Sequence, residues 1–313
     1  MTVFEKLGIN SDKYKTAEYS ADQSQTQSTF GYQWSRTDTY DSETASNAMR
    51  EWLVERYCEN RPEKLKEYLG GGGKIILDAG CGGGYSGSLL FGEELNNNYY
   101  LGVDISDAVS NAKKRFQDLN LKGEFLKASI LDLPVPDESV DIIFSEGVMH
   151  HTDSTEKALK YLAKKIKKGG LFMFYVYAKK AVIREFSDDF IREELKNKSN
   201  EEAWEALKPL TKLGIALGEL KQDIEVPEDI PYLGIKKGKY NVQRFFYWNI
   251  MKAFYRPDFS LEEMHHINFD WYRPLNCFRH TEEEIRKYCK ESNLKIEHFN
   301  TQEAGFTVIA TKK

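Results

Sequence analysis

The stretch Lys74-Ile75-Ile76-Leu77-Asp78-Ala79-Gly80-Cys81-Gly82-Gly83-Gly84 limits what this chain can fold into more than any other. Ile75, Ile76 and Leu77 form a short apolar run of the kind found in a parallel strand buried on both faces, and Asp78 ends it. Four glycines follow within five residues. Glycine lets the backbone take positive φ and lets a ligand approach without a Cβ in the way. A helix starting near Tyr85 or Ser86 aims its free N–H groups at the same crevice. The spacing therefore predicts the first strand–turn–helix of an open α/β sheet.

The acid at the strand end narrows the ligand. A dinucleotide-binding turn seats an anionic pyrophosphate, which a carboxylate at this place repels. Asp78 points instead to a ligand with a cationic part and no phosphate, such as S-adenosylmethionine. A second acid, Asp104, ends Tyr99-Tyr100-Leu101-Gly102-Val103, about 20 residues past the glycines, where doubly wound folds put a carboxylate on ribose hydroxyls. With Leu131-Asp132-Leu133-Pro134, Asp137 to Asp141 and Val148-Met149-His150-His151, these residues give the chain its resemblance to the class I S-adenosylmethionine-dependent methyltransferases, over roughly 70–178 and the last thirty or so residues. The resemblance implies an α/β fold: a Rossmann-like seven-stranded mixed sheet with helices on both faces. It implies that Asp78, Gly80, Cys81, Gly82 and Gly84 hold the methionine end of S-adenosylmethionine, that Asp104 holds the ribose, and that Ile105 and Ile130 flank the adenine. Ser145 and Glu146, ending the fourth strand, join that set. Ser129 stands where relatives usually carry an acid for the adenine amino group, and a neutral hydroxyl is a weaker acceptor there. S-adenosylhomocysteine is the implied product.

Composition excludes other classes. Apolar residues at 41 % and charged residues at 30 % describe a globular chain, and a net charge of −5 argues against a nucleic-acid partner. Cys58, Cys81, Cys277 and Cys289 form no CxxC pair, as suits a reducing cytosol. No run approaches the length of a membrane span, and the first residues lack an apolar signal core. A cytoplasmic enzyme with no membrane contact is the expectation.

Taken in order, the chain divides at 1–69, 70–178, 179–279 and 280–313. Residues 9–29 are polar and, alone, read as mobile. Phe30-Gly31-Tyr32-Gln33-Trp34 then resembles an element preceding the core in some bacterial methyltransferases of polysaccharide and secondary-metabolite pathways. Its aromatics either anchor an N-terminal helical arm or fold it over the site, which makes Tyr32 and Trp34 candidate substrate contacts. Ser42 or Ser46 caps a helix expected to run to about residue 68, with Arg50 and Arg56 facing solvent or, alternatively, serving an anionic substrate. Alternating elements follow: helix 86–94, strand 99–104, helix 106–119, strand 124–128, strand 140–145, helix 154–168 with six lysines on a solvated face, and strand 171–176. About 100 residues then interrupt the alternation before a capping box at Thr281 and Glu284 opens the last helix. This largely helical insertion holds twelve aromatics between Tyr232 and Tyr272. Lying over the carboxyl ends of the strands, it reads as a substrate lid, or as a homodimer contact. Trp271, Tyr272 and Arg273 are its candidate substrate residues.

Methyl transfer from a sulfonium is an in-line displacement, so positioning the nucleophile supplies much of the catalysis. An oxygen nucleophile of high pKa also gains from a base. His150 and His151 follow the fourth strand, and in some related O-methyltransferases a histidine here is the base. His151 is preferred, with Asp153 or Glu146 to orient it. Glu262, Glu263, His265 and His266 put two metal-ligand types on one helical face, but no third ligand follows from the pattern. They read as a polar helix surface, and no metal is expected. The sequence thus predicts transfer of a methyl group to a small molecule, at an oxygen of a sugar, nucleotide-sugar or secondary metabolite. Transfer to nitrogen or carbon, or a non-catalytic cofactor-binding subunit on the same fold, are the alternatives.

Overall fold

The computed structural model describes residues 1–10 and 19–313. Residues 11–18 of the polar 9–29 stretch lie outside the described residues. The remainder of that stretch is not mobile coil: α2 (Ala21–Ser35) is a helix capped by the Ser20 hydroxyl, which accepts from the Gln23 N–H. It follows a short α1 (Val3–Leu7). Ser42 caps α3 (Glu43–Cys58). The expected run to residue 68 breaks because Glu59 and Asn60 take positive φ ahead of Pro62, and α4 (Lys64–Leu69) resumes it.

The core sheet has the order β3-β2-β1-β4-β5-β9-β8. Its strands are β1 (Ile75–Ala79), β2 (Tyr99–Asp104), β3 (Glu124–Lys127), β4 (Val140–Glu146) and β5 (Ile166–Tyr177), then β8 (Leu294–Thr301) and β9 (Gly305–Lys312). The first five are parallel, and β9 runs antiparallel to both β5 and β8. The side-chain period of two explains the layers. In β1, Leu77 and Ala79 pack on one face with Val103 and Ile143, while Ile76 packs on the other with Tyr100 and Ile142. Full burial of such side chains stabilises by about 1.5–3 kcal/mol each. The first face is covered from α7 (Thr155–Lys165) and α12 (Glu282–Glu291), the second from α3, α5 (Tyr85–Phe91) and α6 (Val109–Asp118). The glycines at 169 and 170 do not end α7. The helix stops at Lys165, and Gly169 and Gly170 sit in β5 at a bulge, where Ile166 pairs with Val140 but Leu171 with Ile142.

The insertion is built from α8 (Val182–Leu195), α9 (Asn200–Glu219), a two-stranded ribbon of β6 (Asp223–Val226) and β7 (Gly238–Asn241), α10 (Val242–Asn249) and α11 (Leu261–Tyr272). α8 and α9 are divided where Ser199 and Glu202 form a capping box. Trp204, Leu207, Phe269 and Tyr272 make a core of the insertion's own. The strand order reverses between β1 and β4, so the crevice beyond their carboxyl ends is where an open α/β sheet takes its ligands. The arm and the insertion both close over that crevice.

Candidate active site

A cavity of about 1150 Å³ fills the crevice. It exceeds the roughly 300–1,000 Å³ usual for one small ligand and has room for two. One wall comes from the ends of β1, β2, β3 and β4 and the loops after them: Gly80, Asp104, Ile105, Ser129, Ile130, Glu146 and Val148 line it. Gly80 takes φ +94°, and a Cβ there would fall 2.3 Å from the Val148 side chain. Asp104 is buried and already oriented. Its Oδ2 accepts from the Gly82 N–H at 2.9 Å, and its Oδ1 accepts from the Ser106 N–H at 2.8 Å and the Ser106 hydroxyl at 2.6 Å. Burial raises its pKa, and those donors oppose the rise. The Ser129 hydroxyl caps its own turn, accepting from the Leu131 N–H.

Several residues expected at the cofactor do not line the cavity. Asp78 is fully enclosed and takes the hydroxyl hydrogen of Tyr100, and burial pushes its pKa up to about 7. Cys81 packs against Gly102, Gly84 against Ala112 and Phe116, and the Ser145 hydroxyl donates to the Ala79 carbonyl. Gly82 is covered by the Trp34 indole, which a Cβ there would meet at 2.7 Å. These residues shape the loop rather than its open face. Glu146 does reach the cavity, but its carboxylate is held by Arg56 and by the Tyr57 hydroxyl at 2.5 Å. Arg56 is therefore not solvent-facing: it lies over the Tyr175 ring and in an ion pair.

The opposite wall belongs to the arm and the insertion. From α2, Gln23, Thr26, Phe30, Gln33 and Trp34 line the cavity, while Tyr32 turns into the insertion's core against Trp204 and Phe269. Trp271 lines the cavity. Tyr272 does not: it is buried and donates to Asp188. Arg273 also points elsewhere, donating to the Lys198 carbonyl and to Asn200. The Glu263, His265 and His266 stretch is no polar surface. His265 bonds Thr211 and the Trp204 carbonyl, His266 bonds Thr39 and Gln33, and Glu263 caps α11 while accepting from Ser42. A helix face with polar partners on its neighbours is buried at little cost. Among the described residues, no group of three or more His, Cys, Asp or Glu is placed to hold a metal ion.

The two histidines separate cleanly. His150 is wholly buried, with its ring 3.8 Å from that of Tyr177 and, among the described residues, no hydrogen-bond partner on either nitrogen. It does not line the cavity and is in no position to take a proton from a ligand. His151 lines the cavity. Its Nδ1 lies 2.6 Å from the Asn276 carbonyl, which only accepts, so Nδ1 carries the hydrogen and Nε2 is left as an acceptor toward the cavity. Asn276 is itself held, donating from Nδ2 to Asp153 at 2.9 Å and from its backbone N–H to Thr26. Burial lowers the His151 pKa to about 4, with Asp270 pulling the other way. Asn276, which fixes the tautomer, lies 125 residues away in sequence, and no local pattern marks it.

Residues 77–174 match the family model of the methyltransferase domain. The chain carries a class I S-adenosylmethionine-dependent methyltransferase domain. A "probable S-adenosylmethionine-dependent methyltransferase" of Mycobacterium tuberculosis is 28 % identical over 99 residues, covering 31 % of this chain and 34 % of that protein. A U6 snRNA (guanine-N(2))-methyltransferase of Bos taurus is 38 % identical over 79 residues, covering 24 % of this chain and 15 % of that protein. The chain thus spans well under half the length of these relatives. Among solved structures, magnesium protoporphyrin IX methyltransferase of Synechocystis PCC 6803, with bound S-adenosylmethionine, has a TM-score of 0.50 at 12 % identity, over 95 % of this chain and all of that one. That likeness is one of fold. The cofactor of the methyltransferase domain is S-adenosylmethionine, and the bare Gly80 backbone beside an oriented Asp104 carboxylate suits it.

Proposed function

We propose that this methyltransferase moves a methyl group to an oxygen of a small molecule held between the arm and the insertion, with His151 as general base. The acceptor classes that fit are a sugar, a nucleotide-sugar or a secondary metabolite. When bound, S-adenosylmethionine supplies a methyl group on a sulfonium, open to in-line displacement. Asp104 holds its ribose, Ile105, Ser129 and Ile130 flank its adenine, and Gly80 leaves room for its methionine end. The observation that carries the reading is the fixed tautomer of His151, which leaves Nε2 unprotonated on a residue lining the same cavity as Asp104 and Gly80. A base of such low basicity accepts the hydroxyl proton as the new C–O bond forms, not beforehand. The other residues position: Phe30 meets the His151 ring edge-on at 5.0 Å, and Gln23 donates to the His151 carbonyl.

The enclosure of the cavity by arm and insertion suits a small acceptor, and the net charge of −5 disfavours RNA. The snRNA relative shares too little of its length to outweigh that. Four free cysteines fit a reducing compartment such as the cytosol. Among the described residues, no helix is long and apolar enough to cross a membrane.

The test is His151→Ala. It should lower kcat by about 10²–10⁴-fold while calorimetry finds S-adenosylmethionine binding unchanged. In the wild type the acid limb of kcat should fall near pH 4, not near 6.5, because His151 stays neutral down to about 4. Stability sets the lower limit of that profile: the unfolded chain takes the proton near 6.5 and the folded one only near 4, so stability declines as pH falls through this window. Unchanged kcat in the variant would leave cofactor binding in place and remove the base.

A further inference from the structure

The cavity wall beyond His151 carries more positive charge than the transfer reaction uses. Lys180, Arg184, Lys252 and Trp271 meet there. The ammonium groups of Lys180 and Lys252 lie 5.6 Å and 5.0 Å from the Trp271 ring. Arg184 is neutralised by Asp188, both being 1 % exposed. Neither lysine has a carboxylate within ion-pairing distance among the described residues. Lys180 Nζ donates to the Ala178 carbonyl at 2.7 Å and the Ala304 carbonyl at 2.6 Å, which leaves one of its three N–H groups free. Among the described residues Lys252 Nζ has no hydrogen-bond partner, though the residue is only 6 % exposed.

Burying an ammonium without a counter-charge is costly, and this one is held in place deliberately. The Lys252 N–H donates to Asp188 at 3.2 Å, and its carbonyl accepts from the Tyr272 hydroxyl at 2.9 Å. The following residues lie against α9 where Gly214 and Gly218 have no side chain: a Cβ at Gly214 would fall 2.8 Å from the Ala253 carbonyl, and one at Gly218 2.2 Å from the Tyr255 ring. Burial, and next the charge of Arg184, lower the Lys180 pKa to about 7. The carboxylates nearest these groups are Asp188, Asp270 and Glu185, and Glu185 accepts from the Lys180 backbone N–H while pairing with Arg279. Asp188 is spent on Arg184, Trp271 and Tyr272, and Asp270 accepts from Gln33 and Tyr177. Neither ammonium is thus matched by a carboxylate of its own among the described residues, and both lysines line the cavity.

We propose that the methyl acceptor is an anion, and that Lys180 and Lys252 hold its carboxylate or phosphate group over Trp271. The position is right for a substrate group: the Tyr177 ring lies 4.8 Å from Trp271 and 5.6 Å from His151, so one aromatic ring separates the anion site from the base. An anion supplies the missing counter-charge, and the indole face gives a planar body something to stack on. The inference rests on the methyltransferase reading and selects its charged acceptors over neutral sugars.

The experiment measures binding without turnover. Protein saturated with S-adenosylhomocysteine is titrated with benzoate, phenyl phosphate and the neutral benzamide, followed by calorimetry. At least one of the two anions should bind about 10- to 100-fold more tightly than benzamide, and the better of them names the group. Lys252→Met and Lys180→Met should each remove most of that preference, and Lys252→Arg should keep it. Unchanged S-adenosylhomocysteine affinity in every variant serves as the check on folding. Equal affinities for anions and benzamide, no binding by any of the three, or a preference that survives both methionine variants would overturn the proposal. Loss of kcat in His151→Ala is read separately, so the base and the anion site stand or fall independently.

Discussion

The two walls of the cavity are made differently. The wall proposed for the cofactor is local: Asp104 is held by Gly82 and Ser106, 22 and 2 residues away, and its geometry follows from strands ending side by side. The wall proposed for the acceptor is assembled over long separations. Asp188 collects Arg184, Trp271, Tyr272 and the Lys252 N–H, the last three between 64 and 84 residues distant. The arm adds contacts from further still, with Gln25 accepting from the Leu275 N–H across 250 residues. A wall built from one βα turn tolerates change elsewhere in the chain, whereas a wall built from distant segments depends on the whole insertion folding.

That contrast can be broken at its strongest point. Gly80→Val puts a branched side chain at φ +94°, where a Cβ already meets Val148 at 2.3 Å. Strain of this kind in a ligand loop should abolish detectable S-adenosylmethionine binding, while circular dichroism shows the insertion's helices retained. Retained binding would mean that the glycine loop is not part of the cofactor wall. Asp188→Ala probes the other wall. It strands Arg184, which is 1 % exposed, and removing one partner of a buried pair costs about 3–5 kcal/mol. Urea unfolding should show this loss, together with weakened acceptor binding. A loss below about 0.5 kcal/mol, the range of ordinary surface changes, would mean that the acceptor wall does not depend on its long-range hub.

The same division explains what could be read in advance. The β1 run, the glycines and the strand ending at Asp104 follow from periodicity and turn chemistry, which act within about one supersecondary unit. Arg56, His265 and His266 resemble surface residues in the sequence because each is buried only by virtue of a partner elsewhere in the chain: Glu146, Thr211 and Thr39. His150 and His151 are adjacent and alike in sequence, and only the Asn276 carbonyl and the Tyr177 ring tell them apart. Asp78 carried the ligand argument, yet its carboxylate is spent on Tyr100. Its value as a signal came from the turn it ends, not from contact with the cavity. Lys252 sits in a segment outside the helices and strands with no motif around it, so its lack of a counter-ion is visible only in three dimensions.

The central claim is that the wall around Asp104 binds S-adenosylmethionine. Titration calorimetry of wild type and Asp104→Ala with S-adenosylmethionine, S-adenosylhomocysteine and NAD tests it most directly. Binding of the first two but not of NAD, weakened by about 10- to 100-fold in Asp104→Ala through loss of charge-assisted hydrogen bonds, is the predicted result. Binding of NAD instead, or S-adenosylmethionine affinity indifferent to Asp104→Ala, would contradict it.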